Sequence, residues 1–304
     1  MTLIEKISTL KQRNTMTNIF NNNIKRQIKN IIFRHYGLKT ITIKDINLIV
    51  DFSDDGGRAY NSRSSHEEYV SPIYKEIASL FNPKLIIDVG ANYGFTGIIF
   101  AKKFPEAKLI LIEPSPRLSG FIHQNFEVNN LKNYKVINAL CSDSDNKEIK
   151  FSLNPNDSQD NRVVGMDGWK SILVSTVSLD RIIRENYTSG YVFIKIDTEG
   201  FEERVFSGAE AFLLNNDNWL IKAEFAPSWL KSQGTDPLFF LRNLIANYLV
   251  TEAPARYGFN NDNLENLFKK SITIEESEEF LAYVVSLNEQ NLGWCDLLVK
   301  PKGN

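Results

Sequence analysis

The sequence predicts an open α/β fold built on a doubly wound, mostly parallel sheet. Short apolar runs alternate with helix-length amphipathic segments, and acidic residues end the runs, which is the order expected of repeated strand–helix units. The core strands are expected at 85–89, 109–112, 135–140, 191–197 and 219–225, with a closing strand at 293–300. Helices are expected between them at 96–103, 117–129, 202–214 and 237–248.

The turn after the first predicted strand is the most informative segment. It reads Asp88-Val-Gly-Ala-Asn-Tyr-Gly94, with two glycines four residues apart. Glycine has no Cβ, so a ligand can approach the backbone there, and the following helix offers unpaired N–H groups. A dinucleotide fingerprint requires Gly-x-Gly-x-x-Gly, but Asn92 stands where its second glycine would be. The spacing after Asp88 is instead typical of proteins that bind S-adenosylmethionine (SAM).

Acidic residues stand at five successive predicted strand ends, namely Asp88, Glu113, Asp143, Asp197 and Glu224. In open α/β sheets, ligands bind outside the carboxyl ends of the strands, so these side chains are expected around one site. Glu113 lies 19 residues after Gly94, close to the offset at which a carboxylate accepts hydrogen bonds from ribose hydroxyls. Asp143, beside Ser142, is expected near an adenine edge.

These pieces together resemble the FkbM-type SAM-dependent methyltransferases. The matching segments are Asp88–Gly94, Ile112-Glu-Pro114, Ser142-Asp143, Ser178-Leu-Asp180, Ile194-Lys-Ile-Asp-Thr-Glu-Gly200 and the terminal Cys295–Val299. The resemblance implies a seven-stranded fold that transfers a methyl group from SAM to a hydroxyl oxygen and releases S-adenosylhomocysteine (SAH). It also implies an acceptor such as a sugar, a glycolipid or another secondary metabolite.

The expected cofactor site centres on the glycine turn. Asp88 is expected to accept hydrogen bonds from the N–H groups of the turn and to face the methionine ammonium group. Asn92 and Tyr93 are expected at the methionine end, and Glu113 at the ribose. The complete expected set is Asp88, Gly90, Ala91, Asn92, Tyr93, Gly94, Thr96, Glu113, Pro114, Ser142 and Asp143.

Transfer to an alcohol requires a group that takes the proton of the hydroxyl. Asp197 is the first candidate and Glu199 the second, while Glu224 is expected to position groups more than to take protons. His66 is a weaker candidate. Asp197 could instead cap the next helix, and Glu199 could be a dipole partner in its first turn. These acids would also suit a hard cation, but they lie near a cationic cofactor, so no metal is predicted.

The chain divides into an extension at 1–65 and a methyltransferase domain at 66–304. Residues 1–40 are basic and helix-prone, which predicts a cap, a homodimer contact or a peripheral membrane contact. A hairpin is expected at 41–52 and a polar loop at 54–65, and residues 62–69 could cover the cofactor cleft. A lid-like insertion is expected at 153–171, where Trp169 could stack on a sugar or anchor the loop.

Composition narrows the remaining classes. The 304 residues are 42% hydrophobic and carry a net charge of −2, so one large core is expected and nucleic acid is not an expected partner. Two distant cysteines predict neither a zinc site nor a disulfide framework. We expect a cytoplasmic protein. The open alternatives are an NAD-dependent sugar-modifying Rossmann enzyme and a non-catalytic SAM-binding scaffold.

Overall fold

A computed structural model describes residues 37–63, 72–253 and 264–303 of the chain. The predictions for residues 1–36 and for His66 lie outside these ranges. No helix within the described ranges is both long enough and apolar enough to cross a membrane.

A seven-stranded mixed sheet forms the centre of the molecule. Its strands lie in the order β5-β4-β3-β9-β10-β12-β11. These strands are β3 (Leu85–Val89), β4 (Lys108–Ile112), β5 (Tyr134–Ile137), β9 (Val192–Ile196), β10 (Trp219–Phe225), β11 (Tyr248–Glu252) and β12 (Cys295–Pro301). The four pairings from β5 to β10 are parallel, and β12 pairs antiparallel with both β10 and β11. The prediction of seven strands in an α/β fold is therefore confirmed, with antiparallel pairing at one side.

Helices cover both faces of this sheet. In chain order they are α1 (Asp55–Arg63), α2 (Pro72–Phe81), α3 (Phe95–Lys103), α4 (Pro116–Val128), α5 (Leu179–Asn186), α6 (Glu202–Ser207), α7 (Glu210–Asn215), α8 (Pro227–Ser232), α9 (Pro237–Asn247), α10 (Leu264–Phe268) and α11 (Ser277–Ser286). Alternate residues of β3 enter two separate hydrophobic clusters, Leu85 and Ile87 on one face and Ile86 on the other. This double burial explains why the core strands read as continuous apolar runs.

A hairpin forms before the first core strand, as predicted. Strands β1 (Leu38–Ile43) and β2 (Ile46–Asp51) pair antiparallel. The Asn125 side chain of α4 accepts from the Ile49 N–H at 2.5 Å and donates to the Ile49 carbonyl at 3.1 Å. The hairpin is therefore hydrogen-bonded to the helix that follows β4, while the division of the chain at residue 65 stays a prediction.

Three predicted elements differ from the structure. The expected loop at 54–65 contains α1, and the expected helix at 202–214 is split into α6 and α7 at Gly208. A Cβ at Gly208 would lie 2.0 Å from the Ser142 carbonyl oxygen, so the chain passes too close there for a side chain. The expected strand 135–140 ends at Ile137, and residues 140–141 form β6 in a second sheet with β7 (Glu148–Leu153) and β8 (Lys170–Val177).

Candidate active site

One cavity of about 1290 Å³ opens at the carboxyl ends of the central strands. It extends from the glycine turn after β3 to the ends of β10 and β12. Of the residues predicted from the sequence, it is lined by Gly90, Ala91, Asn92, Thr96, Glu113, Pro114, Asp197, Glu199 and Glu224. The structure thus brings most of the predicted cofactor residues and all three predicted catalytic acids into one space.

The glycine turn is shaped by close backbone contacts. Gly90 has a φ of +78°, and a Cβ there would lie 1.8 Å from the carbonyl oxygen of Asp197. The N–H groups of Gly90 and Ala91 donate to the Ile112 carbonyl at 3.0 and 3.1 Å. The turn is therefore held between the ends of β4 and β9, and only glycine fits at position 90.

Glu113 is held by backbone donors at the end of β4. Its Oε2 accepts from the Asn92 N–H at 2.9 Å, and its Oε1 accepts from the Ser115 N–H at 2.9 Å. Burial raises the pKa of Glu113 to about 7, although the two N–H donors act in the opposite direction. A carboxylate oxygen can accept more than one hydrogen bond, so both oxygens can still take donors from a ligand in the cavity.

Asp88 does not take the role expected of it. It is fully buried, neither of its oxygens accepts a hydrogen bond from the turn, and it does not line the cavity. Instead, the ammonium of Lys195 on the neighbouring strand lies 3.3 Å from Oδ1 of Asp88. Asp88 sits within β3 rather than after it, in register with Lys195, which in turn pairs in register with Lys222 of β10. Asp88, Lys195 and Lys222 therefore form a row of charged residues across three neighbouring strands of the sheet.

Four other expected cofactor residues also lie outside the cavity lining. Gly94 has a φ of +81° and precedes α3, where a Cβ would lie 3.3 Å from Ile122. The Tyr93 ring is fully buried, and its hydroxyl donates to Oδ2 of Asp54 at 2.7 Å. Ser142 and Asp143 follow β6, which leaves the central sheet, and Asp143 forms an ion pair with Arg204 at 2.9 Å. Both residues lie just beyond the cavity lining, which includes Leu140 and Cys141, and their adenine contact stays a prediction.

The three predicted catalytic acids form a compact cluster. One carboxylate oxygen from each of Asp197, Glu199 and Glu224 lies within 4.8 Å of the other two. Lys195 lies 3.2 Å from Oδ2 of Asp197, and although burial favours the neutral amine, Asp197 and Asp88 keep the pKa of Lys195 well above its usual value. Burial, reinforced by the neighbouring carboxylates, raises the pKa of both Glu199 and Glu224 well above the ordinary value.

Two sets of contacts hold the loop that carries Glu199, one with the Glu202 carboxylate and one with helix α8. Oε1 of the buried Glu202 accepts from the Thr198 N–H and hydroxyl, both at 2.8 Å, and from the Gly200 N–H at 3.3 Å. A Cβ at Gly200 would lie 2.5 Å from the Trp229 carbonyl group, so the loop packs directly on α8. Helix α6 has no side-chain cap at its first turn, which rules out the capping role considered for Asp197.

Several cavity residues were missed by the sequence analysis. They are Tyr60 of α1, Lys195, Lys222, Glu252, Tyr283, Trp294 and Asp296. Lysine within an otherwise apolar strand, as at Lys195, is a signal that could have been used, because such a charge is seldom buried without a partner. Trp169 of the predicted lid and Trp229 of α8 both line the cavity, and the Arg162 guanidinium lies 5.2 Å from the Trp169 ring centre.

Comparison with known proteins gives a family match and one curated relative. Residues 88–259 match the model of the methyltransferase FkbM domain, which is more than half of the chain. The methyltransferase sdnD of Sordaria araneosa is 32% identical over 81 residues, a match that covers 24% of this chain and 31% of the relative. The chain thus spans about a third of the length of that curated relative.

Solved structures of methyltransferases also match at low identity. The methyltransferase FkbM from Methylobacillus flagellatus is 16% identical, with a TM-score of 0.36, covering 65% of this chain and 50% of that chain. TYW2 from M. jannaschii in complex with AdoMet is 12% identical, with a TM-score of 0.40, covering 86% and 84% of the two chains.

The chain belongs to the FkbM methyltransferase family, on the strength of the domain match. Its domain is a SAM-dependent methyltransferase domain of α/β fold. The family assignment replaces the NAD-dependent alternative, in agreement with the Asn92 that interrupts a dinucleotide fingerprint.

Proposed function

We propose that this protein is an O-methyltransferase that transfers the methyl group of SAM to a hydroxyl of a sugar, a glycolipid or a secondary metabolite. The observation that carries the proposal is the single cavity, in which Glu113 and the glycine turn share one space with three carboxylates. Its volume of about 1290 Å³ exceeds the range usual for one small ligand, so cofactor and acceptor fit together.

The glycine-turn side of the cavity suits SAM. The two ribose hydroxyls can donate to the Glu113 carboxylate, whose orientation is already set by the Asn92 and Ser115 N–H groups. The methionine part then lies along the Gly90–Asn92 backbone, where the absence of a Cβ at Gly90 permits close approach. This placement directs the sulfonium towards the ends of β9 and β10.

The carboxylate side suits the acceptor. The hydroxyl oxygen attacks the methyl carbon in line with sulfur, the carbon–sulfur bond breaks, and SAH leaves as a neutral thioether. Positioning supplies much of the rate, because the sulfonium is already activated. The proton of the hydroxyl passes to the carboxylate cluster, in which Asp197 is the member tied to Lys195 while Glu199 and Glu224 hold free oxygens.

Carboxylates combined with aromatic faces favour a polyhydroxylated acceptor. Carboxylate oxygens accept hydrogen bonds from sugar hydroxyls, and a flat indole packs against the C–H face of a sugar ring. Trp169 and Trp229 line the cavity that holds Glu199 and Glu224, and Trp294 lies at its edge with 47% of its surface exposed. The predicted stacking role of Trp169 is part of this proposal.

Methyl transfer to a panel of hydroxylated glycans, glycolipids and small metabolites tests the proposal. We expect stoichiometric SAH and a product heavier by one methylene unit for one acceptor class, and calorimetric binding of SAH but not of NAD. An enzyme that binds SAH and methylates only amines or thiols would contradict the proposed acceptor. A protein that binds SAH and methylates nothing in a cell extract would support the scaffold alternative.

A further inference from the structure

We propose that Asp197, Glu199 and Glu224 bind a hard divalent cation of the Mg²⁺ or Ca²⁺ type beside the methyl-transfer site. The sequence argument against a metal was that a cationic cofactor could satisfy these acids. The structure adds distances, burial and local charge, and these observations favour a second cation. The binding site stands on this chain's own residues, whereas its consequence for catalysis rests on the proposed function.

The spacing of the three carboxylates fits one ion. One oxygen from each residue lies within 4.8 Å of the other two. Two ligands on opposite sides of a Ca²⁺ ion are roughly 4.6–5.2 Å apart, since each lies about 2.3–2.6 Å from the ion, and Mg²⁺ requires a slightly tighter set. Three carboxylate oxygens are also the donor type that such cations prefer over softer metals.

Glu224 provides a second observation that is separate from the clustering. Only 8% of this residue is exposed, and its Oε2 has no hydrogen-bond partner among the residues that the structure describes. Oε2 of Glu199 is buried in the same way without a partner. Buried carboxylate oxygens are normally paired or bound to a metal, because desolvating an unpaired charge is costly. Both glutamates line the cavity, so a cation can reach them.

The two lysines beside the cluster are paired with other acids. Lys195 is shared by Asp88 and Asp197, and the ammonium of Lys222 lies 2.5 Å from Asp296. Among the described residues, neither Glu199 nor Glu224 forms an ion pair with a lysine or an arginine. A divalent cation bound between the carboxylates would supply that partner.

A cation at this position would act on the acceptor. A hydroxyl oxygen that enters the cavity can complete the coordination shell, which fixes the attacking atom and lowers the pKa of the hydroxyl. The proton then leaves to a carboxylate oxygen that is not on the ion. Two neighbouring hydroxyls, as on a sugar ring, would bind such an ion more strongly than one.

Binding of Mn²⁺ to the metal-depleted full-length protein tests the site, with electron paramagnetic resonance counting free Mn²⁺. We expect one ion per chain that Mg²⁺ and Ca²⁺ displace. The variants Glu224→Gln and Glu199→Gln should weaken binding at least about tenfold, since loss even of an outer-shell partner costs 10–100-fold. Glu148→Gln is the matched control, because Glu148 is an exposed carboxylate at the start of β7, away from the cavity lining.

The outcomes separate this inference from the proposed function. No Mn²⁺ binding at millimolar concentration, or binding that the two cluster variants leave unchanged, would overturn the cation site. Unchanged methyl transfer after chelation would overturn the catalytic consequence and leave the O-methyltransferase proposal intact. Circular dichroism and SAH binding of each variant confirm that the fold is retained, so a loss of Mn²⁺ binding reports on the ligands themselves.

Discussion

At the β3–β4 end of the cavity, each oxygen of Glu113 accepts a backbone N–H, and glycine fits tightly against Asp197. At the β9–β10 end, Glu199 and Glu224 each bury an oxygen without a hydrogen-bond partner among the described residues. The first end has its polar groups arranged in advance for a ligand of fixed shape. The second end is a cluster of three carboxylates, of which only Asp197 has a lysine partner among the described residues.

This difference indicates that the two ends of the cavity have different roles. A site that binds the same cofactor in every cycle gains from rigid, satisfied groups, because little order is lost on binding. A site where charge develops during the reaction gains from carboxylates whose free energy depends on the charge of the bound ligand. Variants at the acid end should therefore affect turnover, and variants at the glycine end should affect cofactor affinity.

The largest effect is expected at the acid end. Asp197→Asn and Glu199→Gln should lower kcat by roughly 10²–10⁴-fold, the usual contribution of a positioned base, while SAH affinity changes little. Steady-state kinetics together with calorimetry on the same preparations measure both quantities. Glu148→Gln should retain wild-type kcat. A variant that loses SAH affinity but keeps kcat would reverse the division between the two ends.

The next effect concerns the close approach at Gly90. Gly90→Ala places a Cβ 1.8 Å from the Asp197 carbonyl oxygen at a φ of +78°, so the turn must move. We expect loss of SAH binding and a decrease of about 3 kcal/mol or more in the free energy of unfolding. Gly168→Ala is the matched control, because Gly168 has a φ of +84° but open space around its Cβ position. Equal effects in the two variants would show that only the backbone angle matters.

A smaller effect is expected from Glu113→Ala. The substitution removes the acceptor for the ribose hydroxyls and leaves the Asn92 and Ser115 N–H groups without their present partner. Hydrogen bonds to a charged group contribute about 1.5–3 kcal/mol, so SAH should bind roughly 10- to 100-fold more weakly. Calorimetric titration measures the change. SAH affinity equal to that of the wild type would remove Glu113 from the cofactor site.

Much of this site could be predicted because parallel strands bring their carboxyl ends to one edge. Glu113, Asp197, Glu199 and Glu224 converge for that reason. Asp143 is not in the cavity lining, because the strand before it stops at Ile137. The Asn138 side chain donates to the Glu113 and Pro114 carbonyl groups at 2.8 and 3.1 Å, so the chain turns away there and Asp143 follows it.

The positions of Asp88 and Tyr93 outside the cavity lining have one physical origin. Each side chain contacts a residue on an element that is distant in the sequence. Nothing near Asp88 in the sequence shows that Lys195 stands in register beside it. Tyr93 reads as a turn residue, yet its ring packs between Tyr60 and Phe121 with centroid distances of 5.8 and 4.9 Å. Such long-range pairs are set by the assembled sheet rather than by local pattern.

The pKa of Glu113 predicts a pH dependence of cofactor binding. Burial raises this pKa to about 7, and ribose hydroxyls bind best to the ionised carboxylate. SAH affinity should therefore be constant above pH 8 and fall below pH 7 by up to about tenfold per pH unit. Below pH 7 the free protein carries a proton on Glu113, and that proton is released when SAH binds. Titrations in two buffers of different ionisation enthalpy detect the linked proton. Glu113→Gln should show neither effect, and persistence of the slope in that variant would assign it to another group.

The smallest effect is expected at Tyr93. A substitution there tests whether this side chain supports the glycine turn or contacts the cofactor. Tyr93→Phe removes the hydrogen bond to Asp54, a residue that also accepts from the Ser158 N–H at 2.8 Å. We expect a loss of about 1 kcal/mol in the free energy of unfolding by urea titration, with nearly unchanged SAH affinity. A large loss of SAH affinity without loss of stability would restore Tyr93 as a cofactor contact.

A crystal structure with bound SAH tests the central claim most directly, since that claim is one continuous cavity with distinct cofactor and acid ends. We predict the ribose hydroxyls within hydrogen-bond distance of both Glu113 oxygens, with the sulfur facing Asp197, Glu199 and Glu224. SAH bound away from Glu113, or with its sulfur pointing away from the three acids, would contradict the account.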